Sequence, residues 1–246
     1  MNPKGRGIFI TGTDTGVGKT LISGAIARAL RDQNIDCGVM KPIESGCLPG
    51  KKGLMPSDGH YLQKAAKAQD PIDLIVPCRF QAPLAPYAAV LQGGAPVSWA
   101  LIDNAYKQLR QDHAVLLIEG AGGLMVPISP DQTMADLIHR LKLPVLLVAR
   151  SELGTLNHSL LSLEYGKACG LSFLGIVLNQ GACKRDPSEA SNTRILREKS
   201  GLPVMTFPHM KVEGDDETMI ATSAAHMASD PLMQIILRTL DLSNSE

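Results

Sequence analysis

The sequence has no C-x-x-C pair, no long apolar run, no excess charge of either sign, no internal repeat and no low-complexity linker. Each absence excludes something. The cysteines Cys37, Cys47, Cys78, Cys169 and Cys183 are odd in number. A disulfide framework and a zinc site are therefore disfavoured, and reduced, partly buried thiols are expected. Apolar stretches such as Val115–Ile118 and Val145–Ala149 fall far short of the ~20 residues that span a bilayer. The start, Met1-Asn2-Pro3-Lys4-Gly5-Arg6, runs straight into a strand-like segment and lacks the apolar region of a signal peptide. A cytoplasmic protein that does not act on a membrane is expected. Lys plus Arg and Asp plus Glu both number 24, so the formal net charge is zero. That disfavours a broad basic surface for nucleic acid.

What is present is a globular composition, 44% hydrophobic and 20% charged over 246 residues. One domain over residues 1–246 is expected. Short β-rich runs alternate with helical patterns. Strands are predicted at Gly7–Thr11, Cys37–Met40, Ala114–Ile118, Pro144–Ala149, Phe173–Leu178 and Val204–Phe207. Helices are predicted at Lys19–Gln33, Ser98–Gln111, Thr133–Lys142, Thr155–Ala168 and Ser188–Lys199, with a last one at Pro231–Leu240. Residues 43–57 read as loop, followed by a helix starting near Ser57-Asp58 that either side chain can cap. Prolines 71, 77, 83, 86 and 96 make 70–97 a loop with short helical pieces. The pattern predicts an α/β fold: a doubly wound, mainly parallel sheet with helices on both faces. Right-handed crossovers gather the strand C-terminal ends on one edge, where such sheets bind ligands. The polar segments 12–20, 41–46, 119–123, 151–157 and 179–181 follow those ends.

The strongest motif is Gly12-Thr13-Asp14-Thr15-Gly16-Val17-Gly18-Lys19-Thr20, between a strand and a helix. This is the context of a P-loop, in which backbone N–H groups and a helix N-terminus hold phosphate oxygens. Gly16, Val17, Gly18 and Leu21 belong to that cradle, Lys19 reaches the terminal phosphates, and the Thr20 hydroxyl can ligate Mg²⁺. The first glycine of G-x-x-x-x-G-K-[ST] is displaced by one residue, to Gly12.

Glu119 ends an apolar strand and precedes Gly120-Ala121-Gly122-Gly123. P-loop proteins keep a metal-directed carboxylate at such a place. Lys41 ends the second strand, which is expected beside the P-loop strand. It reads either as a solvated charge or as a cation over the phosphates. Asp58 reads as a ligand or as a helix cap. His60, His113, His139 and His226 match no ligand or triad spacing. Cys47 has no visible base, and Met205, Met210, Met219, Met227 and Met233 read as core fillers.

Taken together, these motifs resemble the dethiobiotin synthetase family. The resemblance adds Lys41-Pro42-Ile43-Glu44-Ser45-Gly46, Ser57-Asp58, Leu153-Gly154-Thr155-Leu156-Asn157-His158 and Asn179 to the segments above, across about residues 7–210. The displaced glycine is the form this family uses. The resemblance implies a P-loop NTPase-like fold. It also implies ATP- and Mg²⁺-dependent closure of 7,8-diaminononanoate with CO₂ or bicarbonate to dethiobiotin, ADP and phosphate, through a carbamate and a phosphorylated carbamate. By resemblance, Thr20, Asp58 and Glu119 form the Mg²⁺ set, and Lys19 and Lys41 are the catalytic lysines. Thr15 and Ser45 hold the amine or carbamate end. Gly120, Ala121, Gly122, Asn179, Gln180, Pro208, His209 and Met210 line the nucleotide, with Asn179 reading the adenine. A homodimer is implied, with Gly154, Thr155, Leu156 and Asn157 of one subunit completing the other's site. Two alternatives stand beside this reading: a ParA- or MinD-like ATPase switch, and a nucleotide-binding module without turnover.

Overall fold

The computed structural model describes residues 6–51, 53–181, 186–210 and 215–242, so Cys183 lies outside the described residues. Strand β1 (Arg6–Gly12) enters the glycine-rich turn, and α1 (Lys19–Asp32) leaves it. Strand β2 (Cys37–Met40) follows. The segment expected as loop instead carries three short strands, β3 (Ile43–Ser45), β4 (Leu48–Gly50) and β5 (Gly53–Met55). Next come α2 (Ser57–Ala65), α3 (Ile72–Ile75), β6 (Cys78–Phe80) and α4 (Pro86–Leu91). From there α5 (Trp99–Asp112), β7 (Val115–Gly123), α6 (Met134–Leu141), β8 (Val145–Arg150) and α7 (Thr155–Ala168) alternate. The chain continues with β9 (Phe173–Asn179), α8 (Glu189–Ser200), β10 (Val204–Phe207), α9 (Asp216–Ser229) and α10 (Pro231–Thr239).

The central sheet has six strands in the order β10-β9-β8-β1-β7-β2, and every neighbouring pair is parallel. This is the α/β architecture expected from the alternation of apolar strands and helices. Because side chains alternate along a strand, each strand feeds two cores. Ile8 and Ile10 of β1 face a continuous core with Ile22, Ile26 and Leu30 of α1 and Met227 of α9. Phe9 faces the opposite side with Leu116, Ile118 and the α5–α6 residues Ile102, Leu109, Leu137 and Ile138. A third core joins Leu147, Ile176 and Leu178 to Leu163 of α7 and Leu196 of α8. Met205, Met227 and Met233 fill the first core as expected, with Met210 at its margin and Met219 half-buried.

Four further expectations are corrected. First, β2 does not lie beside β1, because β7 pairs with both and separates them. Second, β7 runs on to Gly123 instead of turning after Ile118, and its Gly123 pairs with Gly12 after an irregularity in register. The residues Gly120–Gly123 carry at most a methyl group, and Gly122 takes φ +67°, so the strand can continue close beside the P-loop. Third, α9 was not expected. Its apolar residues are mostly alanine and are spread round the helix, yet Ala224 and Met227 bury in the first core and Ile220 is buried as well. Fourth, neither Ser57 nor Asp58 caps α2. Pro56 holds the cap position and both residues lie in the first turn.

Candidate active site

The C-terminal edge of β1, β2 and β7 opens into a cavity of about 440 Å³. One wall is the phosphate loop. Its turn depends on Gly18, which has φ +95° and lies so close to Asn179 that an added Cβ would sit 2.1 Å from Nδ2. The loop delivers Lys19 and Thr20 as the first residues of α1. Leu21 packs its side chain against the first core. Val17 is buried in the same core. Thr15 and Gly16 are exposed at the mouth.

Lys19 is buried at the head of α1. It is 7% exposed, and its ammonium donates to the carbonyl of Asp14 at 2.9 Å. Burial lowers its pKa to about 8, partly opposed by the charge of Glu119. A buried lysine held this way carries its full charge once a phosphate replaces the water it lost.

Opposite stand two carboxylates and a second lysine. Glu119 is 1% exposed. Its Oε1 accepts from Thr20 Oγ1 at 2.8 Å and from Lys41 Nζ at 2.7 Å. Its Oε2 is buried with no hydrogen-bond partner. Lys41 also donates to Asp58. Burial alone would lower the Lys41 pKa, but Glu119 and Asp58 outweigh it and hold the ammonium well above its usual range. Lys41 thus reaches the phosphate side although β7 intervenes, because it leaves the end of β2 next to Glu119.

Sequence reasoning missed Glu44. It is 2% exposed, and its two oxygens accept the backbone N–H groups of Asp58 and Gly59 at 3.0 and 2.9 Å. Glu44 is therefore the cap that Ser57 and Asp58 were expected to supply, and it leaves the Asp58 side chain free for Lys41. Burial raises the Glu44 pKa, while Lys41 and the two N–H groups oppose that rise. The signal in the sequence was negative: Pro56 supplies no side-chain acceptor where a cap belongs. Also missed were Pro83–Pro86, which form the far wall. Ser45 lines the cavity, and its buried hydroxyl has no partner.

The cavity thus gathers Thr15, Gly16, Gly18, Lys19, Thr20, Lys41, Ser45, Asp58 and Glu119–Gly122. It does not gather Gly154–Asn157, Asn179, Gln180 or Pro208–Met210. Asn179 lies behind the loop, with Nδ2 donating to Val17 O at 3.0 Å. Gln180 turns to α8, where Nε2 donates to Glu189 Oε2 at 2.7 Å. Pro208, His209 and Met210 follow β10, with His209 exposed. Gly154 is the N-cap of α7 at φ +99°, and no side chain caps that helix. The Thr155 N–H is used by Glu152 O at 3.2 Å, and its hydroxyl meets Ser159, so the open donors there belong to Leu156 and Asn157.

The remaining tempting residues do not line the cavity. His113 is held by Asp36 and Asp70, and His226 meets the Phe207 ring edge-on. His60 and His139 are exposed. Cys47 is buried, its thiol pKa pushed up to about 11 by burial. Among the described residues no helix is long and apolar enough to cross a membrane. Nor do three His, Cys, Asp or Glu side chains gather there as a metal-holding group. A cation here would rest on two carboxylates and a hydroxyl. The hard oxygen donors and the unpartnered Glu119 Oε2 fit Mg²⁺.

The family model described as an AAA domain matches residues 6–210. A protein of Anaeromyxobacter sp. (strain K), named ATP-dependent dethiobiotin synthetase, is 45% identical over 204 residues, covering 82% of this chain and 90% of the relative. Proteins of the same name from Aquifex aeolicus and Bacillus subtilis subsp. natto are 41% and 35% identical, covering 83% and 92% of this chain and 89% and 94% of theirs. Among solved structures, the DNA-bound ParA of pNOB8 aligns with TM-score 0.57 at 12% identity, covering 98% of this chain and 100% of that one. The Pyrococcus furiosus cell division ATPase MinD aligns with TM-score 0.50 at 18% identity, covering 97% and 98%. These two likenesses concern the fold.

Proposed function

The chain belongs to the ATP-dependent dethiobiotin synthetase family and is an ATP-dependent ligase of biotin synthesis, and on that premise we propose that it closes 7,8-diaminononanoate with CO₂ into a cyclic urea. One amine adds to CO₂ and loses a proton, giving a carbamate. A carbamate oxygen attacks the γ-phosphorus of ATP, and ADP leaves. The second amine then attacks the carbamate carbon, the C–O bond to phosphate breaks, and dethiobiotin and phosphate result.

The observation that carries this reading is the pairing of Lys19 and Lys41 across one cavity with Thr20, Asp58 and Glu119 between them. In-line phosphoryl transfer needs positioning and charge stabilisation more than covalent chemistry by the protein. Lys19 holds the terminal phosphates. Two of the three Lys41 donors go to Asp58 and Glu119, and the third is available to the carbamate and to the phosphoryl group in flight. Ser45 offers its unpartnered hydroxyl to the carbamate end, with Thr15 at the mouth. When bound by Thr20, Asp58 and Glu119, Mg²⁺ neutralises charge on the phosphates. Asn179 contacts the adenine, beside Pro208–Met210.

A homodimer completes the site, with Gly154–Asn157 of one subunit taking the far carboxylate of the substrate in the other. The uncapped N-terminus of α7 favours an anion. Leu153, just before α7, and Leu161, on it, are 84% and 62% exposed, as a partner-facing surface would be. Asn157 is not the helix cap, so Asn157→Asp tests charge rather than capping. It is expected to raise the KM for diaminononanoate and spare ATP affinity, and steady-state kinetics at varied substrate check this.

The reading as a whole is tested by incubating the protein with ATP, Mg²⁺, bicarbonate and diaminononanoate and measuring dethiobiotin by mass. ATP hydrolysis indifferent to diaminononanoate, with no dethiobiotin, would favour a ParA- or MinD-like switch.

A further inference from the structure

The phosphate loop is fastened unevenly. Its first half is held from β8, by Val148 O on the Thr13 N–H at 3.0 Å and by Arg150 on Thr15 O at 3.2 Å. Its second half carries the N–H groups that matter most, at the entrance to α1. There a side chain from β9 reaches in: Asn179 donates from Nδ2 to Val17 O at 3.0 Å. Asn179 is 9% exposed, and its Nδ2 stands in the space that any Cβ on Gly18 would need. Only the nitrogen end of an amide can face a carbonyl oxygen, so the orientation of the Asn179 side chain is determined.

We propose that Asn179 is a positioning residue of the phosphate loop, a strut that holds the Val17–Gly18 peptide so that the following N–H groups point at the phosphates. The absence of a side chain at Gly18 then has a second reason besides its positive φ: it makes room for the strut. An amide carries two N–H donors and a carbonyl oxygen. One N–H is spent on Val17, and the other N–H and the oxygen remain for a base edge. This deepens the proposed adenine contact and rests on it only for the coupling. The side chain that touches the base is the one that sets the loop, so the base and phosphate sites share one rigid element. Gln180 has no such part, since its amide is engaged by Glu189 on α8.

Tripolyphosphate carries the three phosphates without base or ribose and separates the two roles. Its affinity and those of ATP and GTP, each with Mg²⁺, are measured by calorimetry for the wild type, Asn179→Ala and Asn179→Asp. Asn179→Ala is expected to weaken tripolyphosphate about tenfold, the worth of one buried hydrogen bond. Asn179→Asp is expected to weaken it more, because a carboxylate would oppose both Val17 O and the phosphates. Without ligand, amide exchange across residues 13–20 is expected to quicken in Asn179→Ala, with little change in melting temperature. Unchanged tripolyphosphate affinity and unchanged loop exchange would overturn the strut, even if ATP binding fell. Weaker tripolyphosphate binding with an unchanged preference for ATP over GTP would keep the strut and overturn the base contact.

Discussion

Two clusters in this protein set one basic side chain between two carboxylates, at opposite ends of the same pair of strands. Where β2 and β7 begin, His113 lies between Asp36 and Asp70, at 3.2 and 3.1 Å. Toward the C-terminal edge of these strands, Lys41 lies between Asp58 and Glu119. The lower cluster is closed. Asp36 also takes Arg31 and the Ala114 N–H, and both ring nitrogens of His113 are used. The upper cluster is deeper and left incomplete, with one Glu119 oxygen unpartnered and a cavity in front of it. The same charge pattern fastens the chain where every group is satisfied, and is available for chemistry where one is not. A buried carboxylate oxygen without a partner is costly, and a cation held between Glu119 and Asp58 would relieve that cost.

The comparison breaks most visibly at Glu119. Glu119→Gln keeps the shape and removes the charge from the open cluster. Turnover is expected to fall by about 10²-fold or more, with partial recovery at raised Mg²⁺. Wild-type Mg²⁺ dependence in this variant would remove the carboxylate from the metal. Next in size is a pH effect at Lys19. Its pKa near 8 in the empty site means that binding a triphosphate takes up a proton once the pH exceeds that value. ATP affinity should therefore drop about tenfold between pH 7.5 and 9, and calorimetry in buffers of different ionisation heat should show the uptake. Lys19→Gln should bind ATP weakly at every pH and lose that slope.

The smallest effect is expected at the closed cluster. Burial opposes protonation of His113, but its bonds to Asp70 and Asp36 outweigh burial and raise its pKa. A raised folded-state pKa contributes stability that is complete below the unfolded value of ~6.5 and is lost as pH rises through the folded one. His113→Gln should therefore cost about 1 kcal/mol at pH 6 and less at pH 8.5, with kcat unchanged at both. Denaturant melts at the two pH values check the sign, and a fall in kcat would tie the two ends of the strands together.

Much of the site was legible because its elements are local. A glycine-rich turn between an apolar strand and an amphipathic helix specifies a phosphate loop within nine residues, Gly12–Thr20. Acids and lysines at strand ends mark the binding edge. The surrounding spans were legible for the same reason: β2, α7 and β10 fall on the predicted residues. Illegible were features that depend on distant partners. Nothing near Glu44 shows that it will cap a helix starting thirteen residues later. The burial of Lys19 depends on a strand and a loop closing over it. Helix α9 has little periodicity of its own and is defined by the face of α1 it covers.

The sequence by itself determined the alternation of strands and helices, the phosphate loop and the edge on which chemistry collects, because hydrophobic period and turn chemistry act over a few residues. Only the tertiary structure decided the strand order, with β7 between β1 and β2. It also decided that Lys41 faces Glu119, that Asp58 is freed by the Glu44 cap, and that Asn179 stands under Gly18. These pairings join residues up to 162 positions apart. Charge and hydrogen bonding act over a few ångströms of space, and no spacing along the chain encodes which distant groups the folded core brings within that reach.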